Sequence, residues 1–408
     1  MALINEHFLK LPDNDLFSDM AKRINSFKIT HPKAKIIRLD VGDMTQPLPL
    51  AVREAMHKAI DEIGQNETLH GHRSKHGYSF LIDAILKNDY AGRGVHLESS
   101  EIFISDGTEN DIENIGDILR HDNSIGVTDP THPVYIDSNM MNGRAGMLED
   151  GKWSNVLYIP CTEENGFVPE LPDRRVDILY LCYPSNPKGM TLSKKELKNW
   201  VNYALANDTL IMYDATYETY IQNPDAPHSI YEIKGAKKVA IEFRSFSKMA
   251  GFTGIHCGYC VVPKDLNGFT LEGEKVQLNK LWSSHHCTKF NGTSYITQRA
   301  AEAVYSHEGK EQVKQMVDYY MTNARIIKEC VQQCGLQVYG GDDAPFLWVK
   351  APKGLSSWSF FERLLYEVNI VGIPGTSFGP SGEGYLGLTT LGSREVSLAA
   401  VERLKNRW

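Results

Sequence analysis

From about Pro47 to Asn291 the chain alternates short apolar runs with helical patterns, and this alternation narrows the choice of fold more than any other feature. The runs fall at residues 102–105, 125–128, 178–182, 210–213, 239–243 and 258–262, and are rich in Ile, Val, Leu, Phe and Tyr. Runs this short, with few polar residues along them, suit strands buried on both faces. Helical stretches between them supply the cover, so the pattern predicts an α/β fold with a mostly parallel sheet. In such folds ligands bind beyond the carboxyl ends of the strands, and functional residues belong there.

After Gly292 the pattern changes. Long helical stretches at 295–305 and 309–334 are followed by strand patterns at 337–339 and 345–349, a helix at 356–367, and strand patterns at Val371 and 384–389. This reads as a smaller α+β domain that closes over the large one. At the other end lie an arm, an amphipathic stretch at 16–27 and a short strand pattern at 36–39. A chain of 408 residues is long enough for two cores. The expected division is an N-terminal arm over 1–45 that joins the small domain, a large domain over 46–295 and a small C-terminal domain over 296–408. No repeat, low-complexity segment or flexible linker interrupts it.

A formal charge of −8 argues against nucleic acid as the main partner. No stretch reaches the roughly 18 apolar residues of a membrane span, and the opening Met1-Ala2-Leu3-Ile4-Asn5-Glu6-His7 is too polar for a signal peptide. A cytoplasmic protein is expected. Seven cysteines, an odd number, do not suggest a disulfide framework. Cys257 and Cys260 have a redox spacing but lie in a strand pattern, where residues three apart point to opposite faces. Cys330 and Cys334 would share one helix face. Neither pair is expected to be catalytic, and no metal site is expected.

The strongest chemical signal is Arg244-Ser245-Phe246-Ser247-Lys248-Met249-Ala250-Gly251-Phe252-Thr253-Gly254. A lysine forms a Schiff base only where it loses its proton easily, in a partly desolvated site near other positive charge. Lys248 is flanked by small hydroxyl residues and followed by glycines that let a loop approach a bulky ligand. A loop lysine is ordinarily just solvated, so the weight comes from three upstream stretches. Leu210-Ile211-Met212-Tyr213-Asp214 is an apolar strand that ends on a carboxylate, with Tyr217 three residues on. Alone, Asp214 is equally well a helix cap. Cys182-Tyr183-Pro184-Ser185-Asn186-Pro187 sets an amide between prolines at a strand terminus. Ile102-Phe103-Ile104-Ser105-Asp106-Gly107-Thr108-Glu109 runs a strand into a helix start, a natural phosphate site.

Together with Thr45-Gln46-Pro47-Leu48-Pro49, Asp129-Pro130-Thr131-His132-Pro133-Val134-Tyr135 and Lys289-Phe290-Asn291-Gly292, these motifs resemble the LL-diaminopimelate aminotransferases, which are fold-type I pyridoxal phosphate enzymes. The resemblance runs nearly from end to end. It implies that Lys248 holds the cofactor and later moves the Cα proton, that Asp214 keeps the ring nitrogen protonated, and that Tyr217 and Asn186 bind the phenolic oxygen. It completes the cofactor site with Gly107, Thr108, Glu109, His132, Ser245, Ser247 and His256, and with the partner subunit's His72. It also implies a homodimer with shared active sites and substrate contacts at Asp15, Gly42, Arg73, Lys75, Asn291 and Gly387.

Several of these positions depart from the family pattern. His256 stands where the family has a phosphate-binding arginine, so a bidentate, always-charged contact is lost. Glu109 stands for a lysine, His132 for the tyrosine that stacks on the ring, and His72 for a tyrosine. Gly387 replaces the arginine that grips the α-carboxylate, and Lys75 replaces a glutamate that reads the distal ammonium of diaminopimelate. The segment 70–76 gathers His70, His72, Arg73, Lys75 and His76 without a carboxylate.

With the anchors for transamination changed, the reading favours a Cα carbanion diverted to elimination, replacement or carbon–carbon bond formation in specialised metabolism. An amino acid would be the substrate, with an anionic or nucleotide co-substrate at the basic segment. The alternatives are ordinary transamination of LL-diaminopimelate or another amino acid with 2-oxoglutarate, and a non-catalytic protein that keeps only the fold.

Overall fold

The structure, a computed structural model, describes residues 2–10, 18–68, 76–290 and 292–407. Its large sheet has seven strands in the spatial order Ile102–Ser105, Gly258–Val261, Ala240–Ser245, Leu210–Asp214, Ile178–Cys182, Ile125–Asp129 and Val156–Pro160. All run parallel except Gly258–Val261, which is antiparallel to both neighbours.

The central strands are buried along their length, which explains why their sequences lack polar alternation. Successive residues enter different cores because side chains alternate across a strand. Ile104, Leu179, Leu181, Ile211 and Tyr213 pack on one face with Trp200. Phe103, Val127, Tyr180, Met212, Ile241 and Phe243 pack on the other with Trp282. Trp200 belongs to the helix Lys194–Asn207, whose buried positions Leu197, Trp200, Val201 and Ala204 follow the helical period. That helix starts on a capping box: the Ser193 hydroxyl accepts from Glu196 N at 3.3 Å, and the Glu196 carboxylate accepts from Ser193 N at 2.7 Å.

A second, antiparallel sheet orders Val338–Gly340, Phe346–Lys350, Tyr385–Thr389 and Ile373–Pro374. Ile37–Arg38 pairs in parallel with Ile370–Val371, and Met20, Ile24 and Phe27 of the helix Ser18–Thr30 enter the core under this smaller sheet. The two sheets are tied where the Asp129 carboxylate, at a strand end of the large sheet, accepts from Ser381 N at 3.1 Å and Ser381 Oγ at 2.7 Å.

The elements not anticipated from sequence include the edge strand Val156–Pro160, the terminal helix Arg394–Arg407 and the hairpin of Asn267–Phe269 with Lys275–Gln277. Among the described residues no helix is long and apolar enough to cross a membrane. Cys161, Cys182, Cys257, Cys260 and Cys330 are buried free thiols.

Candidate active site

The parallel strands end at one edge of the sheet, and the residues just beyond Ser105, Asp129, Cys182, Asp214 and Ser245 converge on a cleft of about 990 Å³. Phe346, Ile373, Phe378 and Thr389 of the smaller sheet and its loops close the other wall.

Lys248 lies in the one-turn helix Phe246–Ala250, which Ser245 caps by accepting from Ser247 N at 3.1 Å. Its Nζ reaches across the cleft and donates to Gly42 O at 2.8 Å. Burial pushes the Lys248 pKa below the usual lysine range, and the carboxylates of Asp43 and Glu109 oppose that shift. The site therefore makes the amine easier to deprotonate, as attack on a carbonyl requires. A side chain at Gly42 would begin 3.9 Å from Nζ, so glycine there leaves the amine room.

In the same cleft Asp214 is buried and accepts from the Tyr135 hydroxyl at 2.7 Å and from Thr216 N at 2.8 Å. Burial raises the Asp214 pKa, and hydrogen bonds from the Thr216 side chain, the Tyr135 hydroxyl and Thr216 N pull it back towards the ionised form. Tyr217 is buried with its ring edge on Phe346, centroids 4.7 Å apart. Asn186 lines the same wall. Lys188, two residues on, is fully buried and donates from Nζ to Pro130 O at 2.6 Å, tying the Asn186 loop to the loop that carries His132. The His132 Nδ1 accepts from Val134 N at 3.4 Å, and burial lowers this imidazole's pKa against the opposing pull of Glu109 and Asp214.

The far end of the cleft is built on the helix Thr108–Ile115. Gly107 precedes it at φ 142°, a conformation in the region that favours glycine. A side chain at Gly258 would come within 2.7 Å of Gly107 Cα, so the antiparallel strand and the helix turn approach through glycine. Thr108 Oγ1 and Thr216 Oγ1 are 3.0 Å apart. Behind them the buried Asp111 is pushed up to about 8, by burial first, with Ser105 Oγ bonded to it at 2.5 Å. His256 lines this end at φ 49°, left-handed backbone that costs a non-glycine residue about 1 kcal/mol.

Thus Gly42, Gly107, Thr108, Glu109, His132, Asn186, Asp214, Tyr217, Ser245, Ser247, Lys248 and His256 all line one cleft. Gly387 does not: it lies in the strand Tyr385–Thr389, opposite Trp348 and Ile373, where a side chain would start 3.4 Å from the Phe378 ring. Asp15, His72, Arg73, Lys75 and Asn291 lie outside the described residues. Sequence reasoning missed Tyr135, Thr216, Asp43 and Phe346 as parts of the site. Tyr135 and Thr216 stand inside motifs singled out above, but their contacts with Asp214 and Thr108 are tertiary.

A lysine amine and a buried carboxylate line one cleft at the carboxyl ends of a mostly parallel sheet, and this arrangement defines a fold-type I pyridoxal phosphate-dependent enzyme. Residues 34–404 match the family described as aminotransferase class I and II, and the chain belongs to that family. It is 71% identical to an LL-diaminopimelate aminotransferase of Parabacteroides distasonis over 408 residues, covering the whole of both chains. A Lawsonia intracellularis protein of the same name is 52% identical over 405 residues, 99% of each chain. Among solved structures, L,L-diaminopimelate aminotransferase from Chlamydomonas reinhardtii superposes with a TM-score of 0.92 at 40% identity, covering 99% of this chain and 98% of that one.

Full-length relatives at these identities overturn the expectation of a chain diverted to elimination, replacement or carbon–carbon bond formation, and they support the transamination alternative. They lend nothing to an anionic or nucleotide co-substrate. The physical reason is that the departures the structure places at the cleft, Glu109, His132 and His256, bear on binding contacts. They leave Lys248 and Asp214 in position, and nothing about them requires a different reaction.

Members of the family use pyridoxal 5′-phosphate, and the donor set suits it in two unequal halves. Lys248 and Asp214 match a carbonyl and a ring nitrogen. Thr108, Ser245, Ser247 and the helix N-terminus offer a phosphate neutral hydrogen-bond donors.

Proposed function

We propose that this chain is an aminotransferase that takes the amino group of LL-diaminopimelate and passes it to a 2-oxo dicarboxylic acid such as 2-oxoglutarate. The observation that carries this reading is the 71% identity, over the whole of both chains, to a protein of that name. The cleft supports it by bringing Lys248 and Asp214 into one lining.

When bound, pyridoxal phosphate supplies the electron sink that makes a Cα proton acidic. The chain's own residues do the rest. Lys248, with its proton loosened by burial, holds the cofactor and then carries the proton between Cα and the cofactor carbon. Asp214 keeps the ring nitrogen protonated, and Tyr135 and Thr216 fix its carboxylate in one orientation. Tyr217 and Asn186 bind the phenolic oxygen, His132 packs on the ring, and Thr108, Ser245, Ser247 and His256 receive the phosphate.

The same proposal includes a cytoplasmic homodimer that shares its active sites, with the partner subunit's His72 contributing to the cofactor site. Exposed apolar residues in the N-terminal stretch, Leu3, Ile4, Phe8 and Leu9, support an association surface, and buried free thiols support a reducing compartment. It also includes the three-part division at 1–45, 46–295 and 296–408, supported by the separate sheets, with Val313, Met316, Val317 and Tyr320 of the third part packed into the core of the large sheet.

The test is a half-reaction. The cofactor-loaded protein is mixed with LL-diaminopimelate alone, and its visible band should disappear in a single turnover, then return on addition of 2-oxoglutarate. A band that LL-diaminopimelate leaves unchanged at millimolar concentration overturns the assignment of donor.

A further inference from the structure

The charge lining the cleft has the same sign as the phosphate of the cofactor it has to hold. Among the described residues, the cleft is lined by six carboxylates, Asp40, Asp43, Asp106, Glu109, Glu113 and Asp214, and its single lysine is Lys248. Asp40 is neutralised by a bidentate pair with Arg38, at 2.6 Å to each oxygen. Asp43 opposes the loss of the Lys248 proton, and Asp214 sits at the ring end. That leaves Asp106 and Glu109 at the N-terminal turn of the helix Thr108–Ile115, where the phosphate is proposed to lie, and Glu113 one turn further on. Of these, Asp106 accepts from Thr293 Oγ1 at 3.2 Å. Glu109 and Glu113 are four apart on that helix and share a face. Against these carboxylates the same end of the cleft sets Thr108, Ser245, Ser247 and His256, with no arginine or lysine among the described residues.

We propose that Glu109 sets how firmly this enzyme keeps its cofactor: its carboxylate repels the phosphate dianion, so the phosphate is held by neutral donors against an unfavourable field. Glu109 is the right residue to single out. It occupies the second position of the helix, is exposed to the cleft, and its field is felt by Lys248, His132 and Tyr217. A first-turn acid also complements the helix dipole, which gives Glu109 a structural reason to be there and makes Glu109→Gln a mild change that removes only the charge. The consequence is an enzyme that exchanges cofactor with its surroundings. The aminated form, which has no bond to Lys248, leaves most readily.

The sign of the salt dependence separates this from ordinary phosphate binding. A cup with net positive charge loses affinity as salt screens the attraction; a cup with net negative charge gains it. The inference rests on the phosphate lying at the Thr108 turn, so pyridoxal, which lacks the phosphate, is the control. The apo protein is titrated with pyridoxal phosphate, pyridoxamine phosphate and pyridoxal, following tryptophan fluorescence, in sodium chloride from about 10 mM to about 300 mM, over which the Debye length shrinks from ~30 Å to under 10 Å. The Kd of both phosphorylated forms should fall at least ~3-fold with salt, and Glu109→Gln should lower it at least ~5-fold at low salt and flatten the salt response. Pyridoxal, which meets the charge of Glu109 only through its effect on Lys248, should respond to both less than its phosphate does. Salt that weakens binding, or a Glu109→Gln protein with wild-type Kd, overturns the role of Glu109. Pyridoxal responding as strongly as its phosphate places the phosphate elsewhere, and failure of all three to bind overturns the cofactor assignment itself.

Discussion

The Tyr135 hydroxyl donates to Asp214 Oδ2 at 2.7 Å from a helix that begins just after His132, so the groups beneath and beside the proposed cofactor ring are set by one short segment. The Tyr135 ring is itself fixed by stacking on Tyr180 at 5.4 Å between centroids. Asp214 is thereby aimed by a residue that need not touch substrate.

Tyr135→Phe removes that donor and keeps the stacking ring. Because the hydrogen bond holds the Asp214 pKa down against burial, its loss moves that pKa further up. The variant should lose about tenfold in kcat, with the acidic limb of its pH–rate profile displaced to higher pH. An unchanged limb would show that Tyr135 only packs.

Lys248→Ala should abolish the visible band of the cofactor-loaded protein and the turnover with it, while leaving the circular dichroism spectrum unchanged. Lys248 is the lysine lining the cleft among the described residues. A variant that keeps the band places the attachment elsewhere.

Gly387→Arg tests whether a carboxylate anchor is missing. A Cβ fits at this position in ordinary contact, the nearest groups being the rings of Phe378 and Trp348 at 3.4 and 3.5 Å, and Phe378 lines the cleft. A charged hydrogen bond is worth about 1.5–3 kcal/mol, so KM for the dicarboxylic acceptor should fall roughly tenfold or more. An equal or higher KM with intact folding would show that another group already grips the carboxylate.

Asp111 gives the protein a pH-dependent stability. Its folded pKa is raised to about 8 by burial, whereas in the unfolded chain it ionises near ~3.9. Between those values the unfolded state binds fewer protons, so stability falls as pH rises. Asp111→Asn removes this loss, and its Tm relative to wild type should improve by at least ~3 °C between about pH 5 and about pH 8. A constant difference across that range would mean that Asp111 is ionised in the folded protein.

Much of this was legible in the chain. Apolar runs without polar alternation marked the buried strands, and Lys248, Asp214, Tyr217 and Asn186 were found at or just beyond strand ends that converge in space. The edge strand Val156–Pro160 was missed because its burial is uneven and it ends on a proline. The antiparallel insertion of Gly258–Val261 was not legible, since strand direction depends on partners far away in sequence. The acidity of the cleft escaped notice for the same reason. Asp40, Asp43, Glu109 and Glu113 meet only once the N-terminal stretch packs beside the strand ends. The inference drawn from changed anchors to a changed reaction failed because altered contacts bear on affinity, while the path follows from Lys248 and Asp214, which are in place.

The most direct test of the central claim is a product balance. The cofactor-saturated protein is incubated with LL-diaminopimelate and 2-oxoglutarate, and the loss of diaminopimelate is measured against the glutamate and ammonia formed. The account predicts one glutamate for each diaminopimelate consumed, with no ammonia above the protein-free control. Ammonia in place of glutamate, or consumption of diaminopimelate that does not depend on the oxo acid, would contradict it.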